Sequence, residues 1–156
     1  MPYSTLMAAY GGNICTNTGL LTATGAATTY DTTVAIDYCI NGKAYRKATV
    51  AAGVTPTTDG NTGAAHVGLT AGKNSVWVLA LNAAGDVAAF QGSVESSGAP
   101  QFPMLPNTHT AFGYINVTAG STTVGTWTFG TSNWNATGIT RSIQNVLMLP
   151  NKPQAS

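Results

Sequence analysis

The sequence predicts an all-β protein: a single-domain β-sandwich or jelly roll over residues 31–156, preceded by an extended N-terminal arm over residues 1–30. Three observations lead to this fold class. Apolar residues recur at every second position in several runs, the period of a half-buried strand. Glycine, proline and Asn-Gly pairs separate these runs at short intervals, as in sandwiches and jelly rolls. The chain of 156 residues is also long enough to bury one core.

A hairpin over residues 33–50 is the clearest local prediction. Apolar side chains alternate with other residues from Val34 to Ile40, and Asn41-Gly42 follows directly. Such a pair tolerates the positive φ angles of a type I′ turn. Residues 43–50 then form the expected return strand.

Further strands follow along the chain. Residues 75–81 are apolar on both faces, which predicts a strand covered on both sides. The remaining expectations are a Thr- and Ala-rich loop over 51–74, a turn over 82–86, a return strand over 87–94, an extended proline-rich crossing over 98–106, a strand over 112–118, and further strands near Trp127 and Phe129 and over 139–149.

The N-terminal segment offers little for a core. Residues 8–29 are mainly Ala, Gly, Thr and Asn, with the few apolar residues Ile14, Leu20 and Leu21. Two interpretations stay open: an arm that lies along a neighbouring subunit, or a poorly ordered terminus.

Charge is scarce in this chain. Only 7% of the residues are Asp, Glu, Lys or Arg and the net charge is +1, although the hydrophobic content is 44%; soluble domains usually have about 25% charged residues. The surface must therefore consist of Thr, Ser, Asn, Gly and Ala, which lose water at little cost. This composition predicts a structural assembly component that packs against copies of itself or a larger scaffold. Near-neutral charge without a basic cluster argues against a nucleic-acid partner.

The expected cellular context is a reducing one. Cys15 and Cys39 lie in no CxxC spacing, so free thiols are expected. The first residues lack the basic start and apolar run of a signal peptide. The longest apolar stretch, 76–81, is far shorter than the roughly 20 residues that cross a membrane. Synthesis in the cytoplasm and no membrane partner are therefore predicted.

No residue pattern indicates an enzyme, a cofactor or a metal. The five carboxylates form no obvious catalytic pair, and Asp37 is expected to be solvated or at an interface. A zinc site would require four separate loops to converge, those of Cys15, Cys39, His66 and His109.

Two glycine-rich loops resemble ligand loops only superficially. Residues 68–74 are one residue short of a phosphate loop and end in Asn74 where Ser or Thr would bind magnesium. Residues 59–63 hint at a calcium loop without its closing acid. Turns explain both segments.

The aromatic residues allow two interpretations. Trp77, Trp127 and Trp134, with six tyrosines, could form a sugar-stacking platform. In an all-β chain such residues also fill the core or an oligomer interface.

Three segments resemble a family of tailed-bacteriophage virion structural proteins. They are residues 38–72 (an INGKAY hairpin), residues 98–121 (APQFPMLP followed by GYINV), and residues 126–140 (FGTSNWNATG). The resemblance implies an all-β shell component, either a capsid decoration (cement) protein or a short head fibre, without catalytic residues. It also implies a position on the capsid surface of the virion.

The implied role is to bind and bridge major capsid protein subunits, with the chain itself forming a homodimer or homotrimer. The alternative is a glycan-binding receptor module of a tail fibre or spike. Apolar and aromatic anchors are typical of interface cores. The interface residues expected on this basis are Tyr3, Leu6, Met7, Tyr10, Phe102, Met104 and Trp134. For Phe102 and Trp134 a position in the core is the open alternative.

Overall fold

The computed structural model describes residues 12–149, and that part of the chain is all-β with no helix. It therefore contains no helix long and apolar enough to cross a membrane. The strands are β1 (Ile14–Cys15), β2 (Leu21–Thr22), β3 (Thr29–Thr32), β4 (Ile36–Ile40), β5 (Lys43–Lys47), β6 (Val50–Val54), β7 (Asn74–Leu81), β8 (Val87–Gln91), β9 (Thr110–Ala119) and β10 (Ile139–Asn145).

The strands form three antiparallel sheets. The largest has the order β10-β9-β7-β8, and two three-stranded sheets have the orders β1-β4-β5 and β2-β3-β6. The all-β prediction is thus confirmed. The finer prediction of a sandwich or jelly roll is not confirmed, because the described strands make three open sheets.

The four-stranded sheet is covered on both faces. Along β7, Trp77 and Leu79 belong to one core group and Val78 and Ala80 to another, as the strand period of two requires. The first group also contains side chains from both small sheets. The second contains Leu105 of the proline-rich crossing. The prediction that residues 75–81 are buried on both faces is confirmed.

A bulge in β9 shapes the larger core group. Leu79 is paired with Gly113, whereas the next residue, Ala80, is paired with Ala111. Phe112 is therefore an extra residue in β9, and bulges of this kind bend a strand and re-aim a side chain. A Cβ at Gly113 would lie 2.8 Å from Cδ2 of Leu21, so a larger residue there would force Leu21 to shift.

The expected N-terminal arm is not confirmed. Within the described residues, 12–30 are built into the domain: Cys15 is fully buried, Leu21 is 2% exposed and Tyr30 is 4% exposed. All three pack in the larger core group. The physical reason is that few apolar residues suffice when each is placed against a distant strand. Residues 1–11 lie outside the described part.

The other strand predictions differ from the structure mainly at their ends. The hairpin is confirmed, although β4 begins at Ile36 and Val34 is 38% exposed outside the strand. The predicted loop over 51–74 contains most of β6, which pairs with β3. Near Trp127 a single bridge to Leu69 forms instead of a strand. The strands expected to end at residues 94 and 149 end at residues 91 and 145.

Candidate interaction surface

The β4–β5 hairpin places a short charged strand at a sheet edge. Asn41 and Gly42 have φ angles of 50° and 77°, the left-handed values of a type I′ turn. The turn reverses the chain after β4, and β5 becomes the last strand of the sheet β1-β4-β5. Its outer edge has no neighbouring strand among residues 12–149.

The protein concentrates its exposed charge at this hairpin. Lys43, Arg46 and Lys47 are three of the six basic residues of the whole chain. Among the described residues, the charged residues that are exposed rather than half-buried or buried are Lys43, Arg46 and Asp86. The basic residues are thus clustered, which corrects the expectation of a chain without a basic cluster. We call β5 together with the turn 82–86 the hairpin surface.

The cations of β5 differ in their partners. Arg46 Nη1 lies 3.3 Å from Asp37 Oδ1 across the hairpin, with the side chains 70% and 41% exposed. An exposed pair of this kind contributes about 0–1 kcal/mol at most. In the described part of the chain, Lys43 and Lys47 have no carboxylate within 4.0 Å. Lys43 Nζ lies 5.6 Å from the centre of the Tyr45 ring.

Stacked tyrosines connect the hairpin to the body. The rings of Tyr38 and Tyr45 are 5.5 Å apart with an interplanar angle of 24°. The Tyr38 hydroxyl donates a hydrogen bond of 2.9 Å to the carbonyl oxygen of Asn82. Burial, then the nearby Tyr45, Cys15 and Asp86, raise the pKa of Tyr38, so it stays a neutral donor. The hairpin is therefore held against the turn that follows β7.

Asn82 organises that turn. Its Oδ1 accepts hydrogen bonds of 2.9 Å from the backbone N–H groups of both Ala84 and Asp86. Its Nδ2 donates to Asp86 Oδ2 at 3.2 Å. Asparagine favours such turns because its short side chain can replace a backbone partner. These hydrogen bonds hold the turn in a defined conformation beside β5.

A cleft of about 510 Å³ lies between the hairpin and this turn. It is lined by Ile40, Asn41, Lys43, Tyr45, Asn82, Ala83, Ala84 and Thr108. The cleft combines one aromatic ring, small apolar side chains and amide or hydroxyl groups. This mixture suits an inserted side chain or a sugar ring, because both need an apolar surface with polar groups at its rim.

The interface residues predicted from the sequence are dispersed. Tyr3, Leu6, Met7 and Tyr10 lie outside the described residues. Met104 is 55% exposed and half-buried Phe102 packs edge-on against Tyr114 at 4.9 Å. Phe102 packs on the β7–β9 face that carries Val78, the face opposite the larger core group.

Trp134 is part of the core in this structure. It is fully buried, and its indole N–H donates to the carbonyl oxygen of Thr29 at 2.8 Å. Trp77 and Trp127, at 0% and 2% exposed, pack with it around the Phe129 ring. The interface role expected for Trp134 is therefore corrected, and the core interpretation describes all three tryptophans. Their indoles are closed to a sugar.

The residues considered for metal binding stay apart. Within the described residues no group of three or more His, Cys, Asp or Glu side chains could hold a metal ion. His66 packs edge-on against Phe129 at 5.2 Å, and burial lowers its pKa. Cys15 is paired with Tyr38 whereas Cys39 is paired with Ile14, so the two thiols are on opposite faces of one sheet.

The two glycine-rich loops form turns. Asp59 Oδ2 accepts hydrogen bonds from the backbone and hydroxyl of Thr62 at 3.1 and 3.0 Å, and its Oδ1 accepts from Gln91 N–H at 2.9 Å. The carboxylate is thus used to fix the loop to β8. In residues 68–74, Gly72 has a φ of 81° and its N–H donates to Ala119. Turn chemistry explains both segments, as the sequence predicts.

Comparison with known proteins adds no relative: no family model, no curated protein and no solved structure matches this chain.

The hairpin surface is the feature that the sequence prediction missed. Its signal is nevertheless visible as KAYRK, in which three of five residues are basic in a chain with 7% charged residues.

Proposed function

We propose that this chain is a structural protein of a tailed-bacteriophage virion, which decorates the head by binding and bridging major capsid protein subunits. The observation that carries the proposal is the surface chemistry. Among residues 12–149 only Lys43, Arg46 and Asp86 are charged and exposed rather than half-buried or buried. The remaining exposed surface is mainly Thr, Ser, Ala, Gly and Asn, which releases water at little cost when it is covered.

Such contacts hold over a wide range of salt. Hydrogen bonds and close packing of small side chains do not depend on ion pairs. Salt weakens the attraction between exposed charges, with a screening length of about 10 Å at 0.1 M. A protein that stabilises a particle must stay bound when the particle meets different media. The low charge of this surface fits that requirement.

The packing of the core supports a mechanical role. Both faces of the four-stranded sheet are covered, and the larger core group joins residues from all three sheets. Close-packed interiors have low compressibility and transmit strain. A body of this kind can bridge two capsid subunits and resist their separation by the pressure of the packaged genome.

The proposed assembly is symmetric. A homodimer or homotrimer lets one small surface contact several equivalent capsid positions, because closed symmetry repeats the same contact. Exposed Met104 and half-buried Phe102 are available for such contacts, and the hairpin surface offers a second contact area.

A second candidate function is supported by the cleft beside Tyr45. Its half-buried ring and the amides of Asn41 and Asn82 could hold a sugar, as in a receptor-binding module of a tail fibre or spike. Tyr45→Ala would then abolish attachment to host cells. A decoration protein with the same substitution would leave attachment unchanged.

Reconstitution on particles tests the proposal. Heads that lack the chain are mixed with purified protein, and bound protein is measured after sedimentation. We expect saturable binding at regularly repeated positions, retained at high salt, and a rise in the temperature at which the heads release DNA. Heads already carrying the chain are the control. Failure to bind heads, together with binding to tails or host cells, would contradict the proposal.

A further inference from the structure

We propose that the outer edge of β5 is a docking edge to which an extended acidic segment of a partner protein adds as a further β-strand. The inference rests on the proposed function in one respect, the location of the partner on the virion. The recognition itself is argued from the edge and its charges.

The backbone of β5 offers hydrogen-bonding groups that pair with no strand of residues 12–149. Ile40 and Lys43 flank the two-residue turn and form the first pair of the β4–β5 ladder. In a hairpin of this type the closing pair is hydrogen-bonded and bonding alternates along the strands. The N–H and C=O groups of Ala44 and Arg46 consequently point away from β4. Added strands bind through such edge groups.

The side chains of β5 define what can add there. Lys43, Tyr45 and Lys47 are opposite Ile40, Tyr38 and Ile36, so all three lie on one face of the sheet. Two cations thus flank an aromatic ring. The two lysine Cα atoms are separated by four residues of strand, which is about 13 Å at the usual rise.

This arrangement specifies a complementary strand. Cross-strand pairs of opposite charge stabilise a sheet, and like charges destabilise it. A partner with the pattern acid–x–apolar–x–acid would place its carboxylates against Lys43 and Lys47 and its apolar residue against Tyr45.

A second copy of this chain cannot supply that pattern. Its carboxylates are at residues 31, 37, 59, 86 and 95, and no two of them are four positions apart. The partner is therefore a different protein. A nucleic acid would use the cations but none of the edge groups of Ala44 and Arg46.

Lysine on a sheet edge can also have a protective role, since charge prevents unwanted pairing of free edges. The two roles differ in a measurable way. A protective edge repels strands of every pattern, whereas a docking edge binds one pattern in preference to others.

Peptide binding to the purified protein tests the proposal. The probe is a fluorescent nine-residue peptide with glutamates four positions apart and a central valine; the control peptide has the same composition with adjacent glutamates. We expect preferential binding of the probe and protection of the Ala44 and Arg46 amides from hydrogen exchange. The double variant Lys43→Gln, Lys47→Gln should weaken binding roughly three- to tenfold.

Lys73→Gln is the matched control variant, because Lys73 lies outside the hairpin surface. It should leave binding unchanged, and both variants should keep the wild-type melting temperature. Equal binding of the two peptides, equal loss with Lys73→Gln, or full competition by single-stranded DNA would overturn the proposal. No particle is used, so these outcomes do not bear on the decoration role. Conversely, a failure to bind heads leaves the peptide result intact.

Discussion

Replacing Leu21 by alanine is expected to destabilise the whole domain. Leu21 is 2% exposed, packs in the larger core group and approaches Gly113 closely. The change removes three carbon atoms, which corresponds to about 2.4 kcal/mol of lost apolar transfer. The cavity left behind raises the expected loss to about 3–4 kcal/mol. The melting temperature should fall by roughly 6–16 °C for a domain of this size.

Leu20→Ala is the matched control. Leu20 is the preceding residue but is 46% exposed, so its truncation should change the unfolding free energy by about 0.5 kcal/mol or less. Urea unfolding followed by the fluorescence of the buried tryptophans measures both variants. An unchanged midpoint for Leu21→Ala would refute the integration of residues 12–30 into the core and would restore the arm interpretation.

Three further predictions follow from the buried residues. Burial lowers the pKa of both histidines from 6.5, so in acid the unfolded chain binds more protons than the folded chain. The free energy of unfolding should therefore be highest above pH 6.5 and decrease as the pH falls through the folded pKa. Urea titrations at several pH values should show a smaller decrease in His66→Phe. Burial and then Cys39 raise the pKa of Cys15 to about 12, so thiol reagents should modify Cys15 only in denaturant. Reductant should leave the melting temperature unchanged, because Cys15 and Cys39 lie on opposite faces of their sheet. Gly113→Ala should cost about 1–3 kcal/mol, and less in a Leu21→Ala background, since the new Cβ would meet Leu21; equal costs in both backgrounds would contradict this contact.

The parts of the fold that the sequence predicts are those with local signals. Asn41-Gly42 sets the hairpin turn by its own backbone preferences. The run Val76–Leu81 is apolar on both faces, and a strand covered on both sides follows from that pattern alone. In each case the determining residues are adjacent in the chain.

The parts that the sequence does not predict depend on distant partners. β1 and β2 have two residues each, too few to show a period, and they exist because Ile14 pairs with Cys39 and Leu21 with Thr32. β6 pairs with β3 across an irregular register between Tyr30 and Thr32. No local pattern contains that information, so these segments read as an arm and a loop.

The candidate site was hidden for the same reason. The cluster Lys43, Arg46 and Lys47 is visible in the sequence, but its importance depends on β5 being an edge strand, which only the sheet order reveals. The opposite error concerns Trp134. An aromatic residue in a polar loop resembles an interface anchor, yet its indole hydrogen bond to Thr29 fixes it in the core.

The copy number of this chain in purified virions tests the central claim most directly. Quantitative mass spectrometry gives its amount relative to the major capsid protein. The decoration role predicts a ratio near one, or a simple fraction set by the particle symmetry. A handful of copies per particle would place the chain in a tail or fibre, and its absence from particles would contradict a virion function altogether.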